Sequence, residues 1–420
     1  MSIISKIIAR EILDSRGYPT IETEVVLESG HSGVASVPSG ASTGAFEAVE
    51  MRDNDPDRFR GKGVQKAIDG IMTDIEPLLV EESVLDQQAI DKALLKLDNT
   101  SNKSGLGANA ILSVSMACAL AAASFYNLPL YRYIGGIVND RLPKPMMNII
   151  NGGVHADNKI DIQEFMIVPY NERCFEEYVA ICAEVYHNLK DILKKDGLST
   201  NVGDEGGFAP NLSSTKEALD YLMRAVEKSE CRPGSDICFA LDVAASELYE
   251  NKFYKIDGMK KTSDGMIDFY KDLARQYPII SIEDPLHEED WEGWANMNAE
   301  LGKNMQIVGD DLYATNIGRL LEGIEKKAAN AILIKPNQIG TLTETLETIN
   351  CAKENGYNIV LSHRSGETSD STIADIAVGV SAQYIKAGAP ARGERVAKYN
   401  RLLKIEDEVL RIDFVDIGES

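Results

Sequence analysis

An α/β protein, a small mixed domain followed by a (β/α) barrel, is what this sequence predicts, and three observations carry the prediction. Through residues 238–386, short apolar runs each end in an ionisable residue. The runs recur roughly every 25–30 residues after a longer first interval, which leaves room for one helix between strands. Polar–apolar alternation of the antiparallel kind is found in the first 30 residues, as expected of a separate sheet. A doubly wound open sheet has the same period as a barrel, and periodicity leaves the two open.

Taken in order, Thr20, Glu22 and Glu24 alternate with Ile21, Thr23 and Val25, behind the turn Arg16-Gly17-Tyr18-Pro19. Helical patterns then dominate to about residue 133. Gly135-Gly136 and Pro143-Lys144-Pro145 bracket a linker, so a first domain of residues 1–135 and a second of residues 140–420 are expected. The apolar runs of the second are Cys238-Phe-Ala-Leu before Asp242, Ile279-Ile-Ser-Ile before Glu283, and Gln306-Ile-Val-Gly before Asp310. They continue with Ala331-Ile-Leu-Ile before Lys335, Ile359-Val-Leu-Ser before His363, and Gln383-Tyr-Ile before Lys386. Such nearly continuous runs belong to parallel strands covered on both faces. Between them, Ser214-Thr-Lys-Glu217 reads as a capping box ahead of Ala218, Leu222, Met223 and Val226.

Asp and Glu number 66 against 43 Lys and Arg, for a net charge of −23. So acidic a chain repels phosphate backbones and anionic lipid, which argues against nucleic acid and membrane as partners. An anionic small substrate would need cations gathered locally. Hydrophobic residues at 44% and charged residues at 26% support a large core and exclude wholesale disorder, collagen or a disulfide scaffold. The six cysteines, Cys118, Cys174, Cys182, Cys231, Cys238 and Cys351, form no Cys-x-x-Cys pair and no zinc spacing. They read as the reduced thiols of an intracellular protein. Lys6, Arg10 and Glu11 interrupt the N-terminal apolar residues, so no signal-peptide core develops and a cytoplasmic location is expected. Residues 104–131 carry no charge over 28 positions, but Asn109, Asn127, Pro129 and many Ala and Ser suit a buried helix better than a membrane span.

On a (β/α) barrel the carboxyl ends of the strands share one face, where catalytic groups gather. That rule brings together Asp242, Glu283, Asp310, Lys335, His363 and Lys386. Any one of them could be an ordinary surface residue; six ionisable ends in succession point to a site. Asp242, Glu283 and Asp310 offer hard oxygens without sulfur or imidazole, a donor set suited to Mg²⁺. A buried hydrogen-bond network is the alternative, although three carboxylates without a cation would raise one another's pKa. Lys335 follows four apolar residues, where burial and nearby divalent cations would depress its pKa and make it a base near neutrality. His363-Arg364-Ser365 and Lys386 supply donors for a phosphate or carboxylate, the Arg bidentately. Ser39-Gly-Ala-Ser-Thr-Gly44 is a Gly-punctuated hydroxyl loop able to close over an anion, though alone it reads as a surface turn. It is not a Walker A loop, since Gly61-Lys62 is followed by Gly63.

Several of these segments recur as longer motifs. They are Glu11-Ile-Leu-Asp-Ser-Arg-Gly17, Ser39-Gly-Ala-Ser-Thr-Gly44, Asn151-Gly-Gly-Val-His155, Asp161-Ile-Gln-Glu-Phe-Met166 and Gly203-Asp-Glu-Gly-Gly207. Ser281-Ile-Glu-Asp284, Gly309-Asp-Asp-Leu312, Lys335-Pro-Asn-Gln-Ile-Gly-Thr341 and Ser362-His-Arg-Ser-Gly-Glu-Thr368 follow in the same order. Over essentially its whole length the sequence resembles the enolase family. The resemblance implies an N-terminal α+β domain followed by an eight-stranded α/β (TIM-like) barrel with one antiparallel strand, the second. Glu164 fits that detail: it precedes its apolar run, Phe165-Met-Ile-Val168, and reversing the strand would carry it to the common face.

The resemblance further implies Mg²⁺-dependent, reversible dehydration of 2-phosphoglycerate to phosphoenolpyruvate in glycolysis and gluconeogenesis. It implies a cytoplasmic homo-oligomer, dimer or octamer, with a secondary cell-surface or secreted pool in related proteins. Carried over by position, Asp242, Glu283 and Asp310 resemble the ligands of one Mg²⁺. Ser39 resembles the loop ligand of a second Mg²⁺ that binds with substrate. Lys335 resembles the base that takes the C2 proton, and Glu205 the acid at the departing C3 hydroxyl, supported by Glu164. His155, Gln163, His363, Arg364, Ser365 and Lys386 match contacts to the substrate, with Glu283 and Asp310 bordering it.

Three positions depart from the family pattern: Tyr18 where Asn is usual, Ser369 where an acid is common, and Gly393 where Ser or Thr is common. None is a residue given a chemical role. A related enzyme for unphosphorylated sugar acids would carry a Lys-x-Lys base motif and lack Ser-His-Arg-Ser, the reverse of this chain. A scaffold that had lost catalysis would show gaps in the site, and none is missing. Surface capture of plasminogen is linked in the family to C-terminal lysines, whereas this chain ends Ile-Gly-Glu-Ser.

Overall fold

The structure, a computed structural model, describes residues 1–40 and 44–415. The N-terminal part is built on an antiparallel meander of β1 (Ile4–Leu13), β2 (Pro19–Leu27) and β3 (Ser32–Ser36). The β1–β2 turn needs Gly17, whose φ of +75° is left-handed. Ile21, Thr23 and Val25 of β2 face inward as their alternation requires. They pack against the apolar helix Ala108–Phe125, 83% of which is buried. This explains its small residues: a Cβ on Gly33 of β3 would lie 2.2 Å from Ala121 N, and Thr23 Oγ1 meets Ser113 Oγ at 2.7 Å. Long and apolar enough to cross a membrane, this helix is here the inner wall of a domain.

After the helix Leu130–Gly135, the chain enters a closed barrel. Its strands are β4 (Lys144–Asn151), β5 (Glu164–Pro169), β6 (Ile237–Asp242), β10 (Ile279–Glu283), β11 (Gln306–Gly309), β12 (Ala331–Ile334), β13 (Asn358–Ser362) and β14 (Tyr384–Lys386). A small meander of β7 (Tyr249–Glu250), β8 (Phe253–Ile256) and β9 (Met259–Lys261) lies between β6 and β10, which accounts for the longer first interval. Pairing of β14 with β4 closes the ring and rejects the open-sheet alternative. β5 runs antiparallel to both β4 and β6, and all the other neighbours are parallel. Met146, Met166, Val168, Ala240, Val308, Ala331, Leu333 and Val360 fill the lumen, so the barrel is a packed core rather than a pore.

Ser214 caps its helix as read, accepting from Glu217 N at 3.2 Å. The return half of the box differs, because the Glu217 carboxylate accepts from Ser213 N at 2.7 Å. The two parts are tied at the barrel rim. Ser39 and Gly366 exchange backbone hydrogen bonds of 2.8 and 2.9 Å. Asp91, 1% exposed, accepts from Thr343 N at 2.9 Å and Thr343 Oγ1 at 2.6 Å, at the start of helix Leu342–Glu354. The departures are accommodated locally. Lys62 Nζ sits 4.0 Å over the Tyr18 ring, Ser369 is exposed, and a Cβ on Gly393 would meet nothing within 4 Å.

Candidate active site

Asp242, Glu283 and Lys386 end their strands, and Asp310, Lys335 and His363 stand one residue beyond theirs. Reversal of β5 sets Glu164 in register with Asp242, so its carboxyl joins the same face. His155, Gln163, Glu164, Glu205, Asp242, Asp310, Lys335, His363, Arg364, Ser365 and Lys386 line one pocket together with Glu47, Asp284 and Asp311. Glu283 joins it through Lys386, which lines the pocket and donates to both Glu283 oxygens.

Lys386, 2% exposed, donates to Asp242 Oδ2 at 2.7 Å and to both Glu283 oxygens at 2.9 Å, and lies 3.2 Å from Glu164 Oε1. Burial opposes its charge, but Asp242, Glu164 and Glu283 outweigh it and hold the ammonium well above the ordinary lysine pKa. Gln163 Nε2 donates to Asp242 Oδ2 at 3.3 Å. Lys335 Nζ donates to Asp310 Oδ2 at 2.5 Å, and Gln338 Nε2 to Asp310 Oδ1 at 2.9 Å. Of the two causes expected to depress Lys335, burial acts in this pocket. Burial does lower its pKa, but the Asp310 carboxylate more than compensates and raises it. Lowering would require that carboxylate's charge to be shared with another cation.

The sequence reading overlooked Asp284, whose backbone adopts φ +42° and whose two oxygens each accept, at 2.9 Å, from Asp310 N and Asp311 N. Oxygens of Asp284, Asp310 and Asp311 lie within 4.8 Å of one another, as do ligand atoms of His155, Glu164 and Glu205. Burial, then Asp310, pushes Asp311 up to about 8. The tandem acids Glu283-Asp284 and Asp310-Asp311 were the available signal. Buried carboxylates at three neighbouring strand ends, balanced here by ammonium groups, are a donor set that fits a divalent cation.

Beside them His155 Nδ1 lies 3.5 Å from Glu164 Oε1 and 3.7 Å from Glu205 Oε1. Among the described residues neither His155 Nδ1 nor Glu164 Oε2 has a hydrogen-bond partner, although both residues are buried. Burial, and next the Glu205 charge, raises Glu164 well above the carboxylate range. Burial pushes Glu205 the same way, yet the imidazoles of His363 and His155 and the Arg395 charge hold it well below. One proton of the pair therefore rests on Glu164. Asn148 Nδ2 donates to Glu205 Oε2 at 3.1 Å, and His363 Nε2 lies 3.2 Å from the same oxygen. Burial pushes His363 down to about 4, so its ring is neutral at pH 7.

Arg364, 4% exposed, forks onto Glu47 with contacts of 2.9 and 3.1 Å and donates to Asn337 Oδ1 at 3.1 Å. Glu47, from the first domain, was not anticipated. Ser365 Oγ accepts from Arg16 Nη1 at 3.4 Å. Ser39, expected at a metal, does not line the pocket: its hydroxyl donates to Glu50 Oε2 at 3.0 Å and accepts from Arg52 Nη2 at 2.8 Å. Ala41, Ser42 and Thr43 of the same loop lie outside the described residues.

Two family models match the chain. One, described as the enolase N-terminal domain, covers residues 4–134, and the other, the enolase C-terminal TIM barrel domain, covers residues 139–413. A metal-dependent carbon–oxygen lyase of the phosphopyruvate hydratase type accords with the carboxylate clusters and the lysines between them. Fold, site and both matches agree, and the chain belongs to the enolase family.

Proposed function

We propose that this pocket interconverts 2-phosphoglycerate and phosphoenolpyruvate with Mg²⁺, as a step of glycolysis and gluconeogenesis. One observation carries the reading. Lys335 follows β12 and Glu164 begins β5, strands four apart whichever way the ring is counted, so an amine and a protonated carboxyl face each other across a polar pocket. A proton α to a carboxylate is very weakly acidic, and bound Mg²⁺ supplies the positive charge that stabilises the dianion its loss creates. Asp242, Glu283 and Asp310 would hold one ion. A second, bound with substrate, belongs to the same proposal; Ser39 would have to leave Glu50 and Arg52 to serve it.

The chain's own residues divide the remaining work. Lys335 takes the C2 proton, and does so only when the Asp310 charge is engaged elsewhere. Lys386, released by Asp242 and Glu283, turns to the substrate's carboxylate. Arg364, its guanidinium held by Glu47, and Ser365 present donors to the phosphate. Glu205, ionised in the free pocket, receives the proton that Glu164 holds and delivers it to the C3 hydroxyl as it leaves. Glu164 holds the proton that the two carboxyls share, and His155 beside both keeps them in contact. Domains of residues 1–135 and 140–420, assembly as a homo-oligomer (dimer or octamer) and a cytoplasmic location are part of this proposal, and sedimentation measures the assembly. The direct test is the absorbance of phosphoenolpyruvate formed from 2-phosphoglycerate and Mg²⁺. No turnover with metal and substrate both bound would overturn it.

A further inference from the structure

Arg395 lies in the first turn of the helix Gly393–Val415 and is 0% exposed. Each terminal nitrogen of its guanidinium donates twice. Nη1 reaches His363 Nδ1 at 2.7 Å and the Arg364 carbonyl at 2.5 Å. Nη2 reaches the Asp204 carbonyl at 3.0 Å and the Ser365 carbonyl at 2.6 Å. One side chain thus joins the loop that carries Glu205 to the loop that carries His363, Arg364 and Ser365. Gly388, at φ +84°, leaves room for this arrangement: a Cβ there would lie 2.8 Å from Arg395 Cδ and 2.9 Å from the Glu205 carbonyl.

The chemistry of the donor fixes a proton elsewhere. A guanidinium has no lone pair to offer, so a ring nitrogen 2.7 Å from it must accept. His363 Nδ1 is therefore bare and the proton of the neutral ring sits on Nε2, 3.2 Å from Glu205 Oε2 but off the line of a hydrogen bond to it. We propose that Arg395 is a positioning residue, which sets the His363 tautomer and through it keeps the ring proton on the nitrogen nearest Glu205 while locking the two loops to each other. Its guanidinium touches no reacting atom. The proposal rests on reading Glu205 as the acid, and the tests separate the two.

In the wild-type protein, ¹H–¹⁵N correlation of the imidazole rings should find His363 protonated on Nε2 at pH 7; a proton on Nδ1 would overturn the proposal with no variant needed. Arg395→Met should lower kcat at least tenfold and mix the two tautomers, while Mg²⁺ affinity by calorimetry stays within about twofold. Arg395→Lys, which keeps a donor and the charge, should recover part of kcat and bias the ring back toward Nε2–H. A folded Arg395→Met with wild-type kcat, or with an unchanged tautomer, would reject the role. If instead Glu205 is not the acid, Glu205→Gln keeps dehydrating whatever the tautomer measurement reads.

Discussion

Lys335→Ala and Glu205→Gln should fail at different stages of the reaction, and the pocket indicates how far each falls. A positioned acid or base contributes ~10²–10⁴ in rate. For the lysine the loss belongs at the upper end. Among the described residues lining the pocket, the other amine is Lys386, held by Asp242 and Glu283 and well above the ordinary lysine pKa. With no substitute base, ~10⁴ corresponds to about 5.5 kcal/mol of barrier. For the acid the loss belongs at the lower end, ~10² or about 3 kcal/mol, because Glu164 keeps its proton beside the position Glu205 occupied. The assay is NMR of 2-phosphoglycerate in D₂O with Mg²⁺. Lys335→Ala should lose both dehydration and exchange of the C2 hydrogen. Glu205→Gln should dehydrate slowly while still exchanging that hydrogen, since Lys335 can remove and return it. Exchange that survives in Lys335→Ala, or vanishes in Glu205→Gln with metal and substrate bound, would refute the division of roles.

Asp310→Asn should weaken Mg²⁺ by more than about tenfold in calorimetry, and chelation should lower the thermal midpoint of the wild type but hardly that of the variant. Unchanged affinity would remove Asp310 from the ligand set. His363 carries an acid liability: its pKa falls from an ordinary 6.5 to about 4 on folding, so below pH 6.5 the unfolded chain takes up a proton that the folded one refuses. Stability is therefore lost as pH falls through that window, by about 2 kcal/mol between pH 7 and 5, and urea unfolding of His363→Gln should lack that component. Asp91→Ala strips the partners from half-buried Thr343 N and Oγ1 and should cost about 2 kcal/mol, read as a lower calorimetric midpoint. A midpoint equal to the wild type would mean the domain contact there contributes nothing.

What the sequence determined by itself is local. Short apolar runs ending in Asp242, Glu283, Asp310, Lys335, His363 and Lys386 fix strands and place their ends, because a strand's direction carries its terminal residue to one face. The order of Glu164 and Phe165-Met-Ile-Val168 even carried the reversal of β5, once the resemblance supplied the context. Motif order supplied the family. Tertiary structure decided the rest, for reasons of distance and charge. Closure of the ring depends on β14 meeting β4, strands whose pairing no local period encodes. Glu47 reaches Arg364 across 317 positions, and Arg395 reaches Asp204 across 191, so neither partnership leaves a trace in spacing. Burial of Lys335 was legible in its apolar neighbours, while its contact with Asp310, which raises the pKa, was not. The motif names Ser39 as a candidate ligand, and it is packing that sets its hydroxyl between Glu50 and Arg52 in this structure. A side chain's type is written in the sequence, but its protonation and its partner are set by whichever charges the fold brings within a few ångströms.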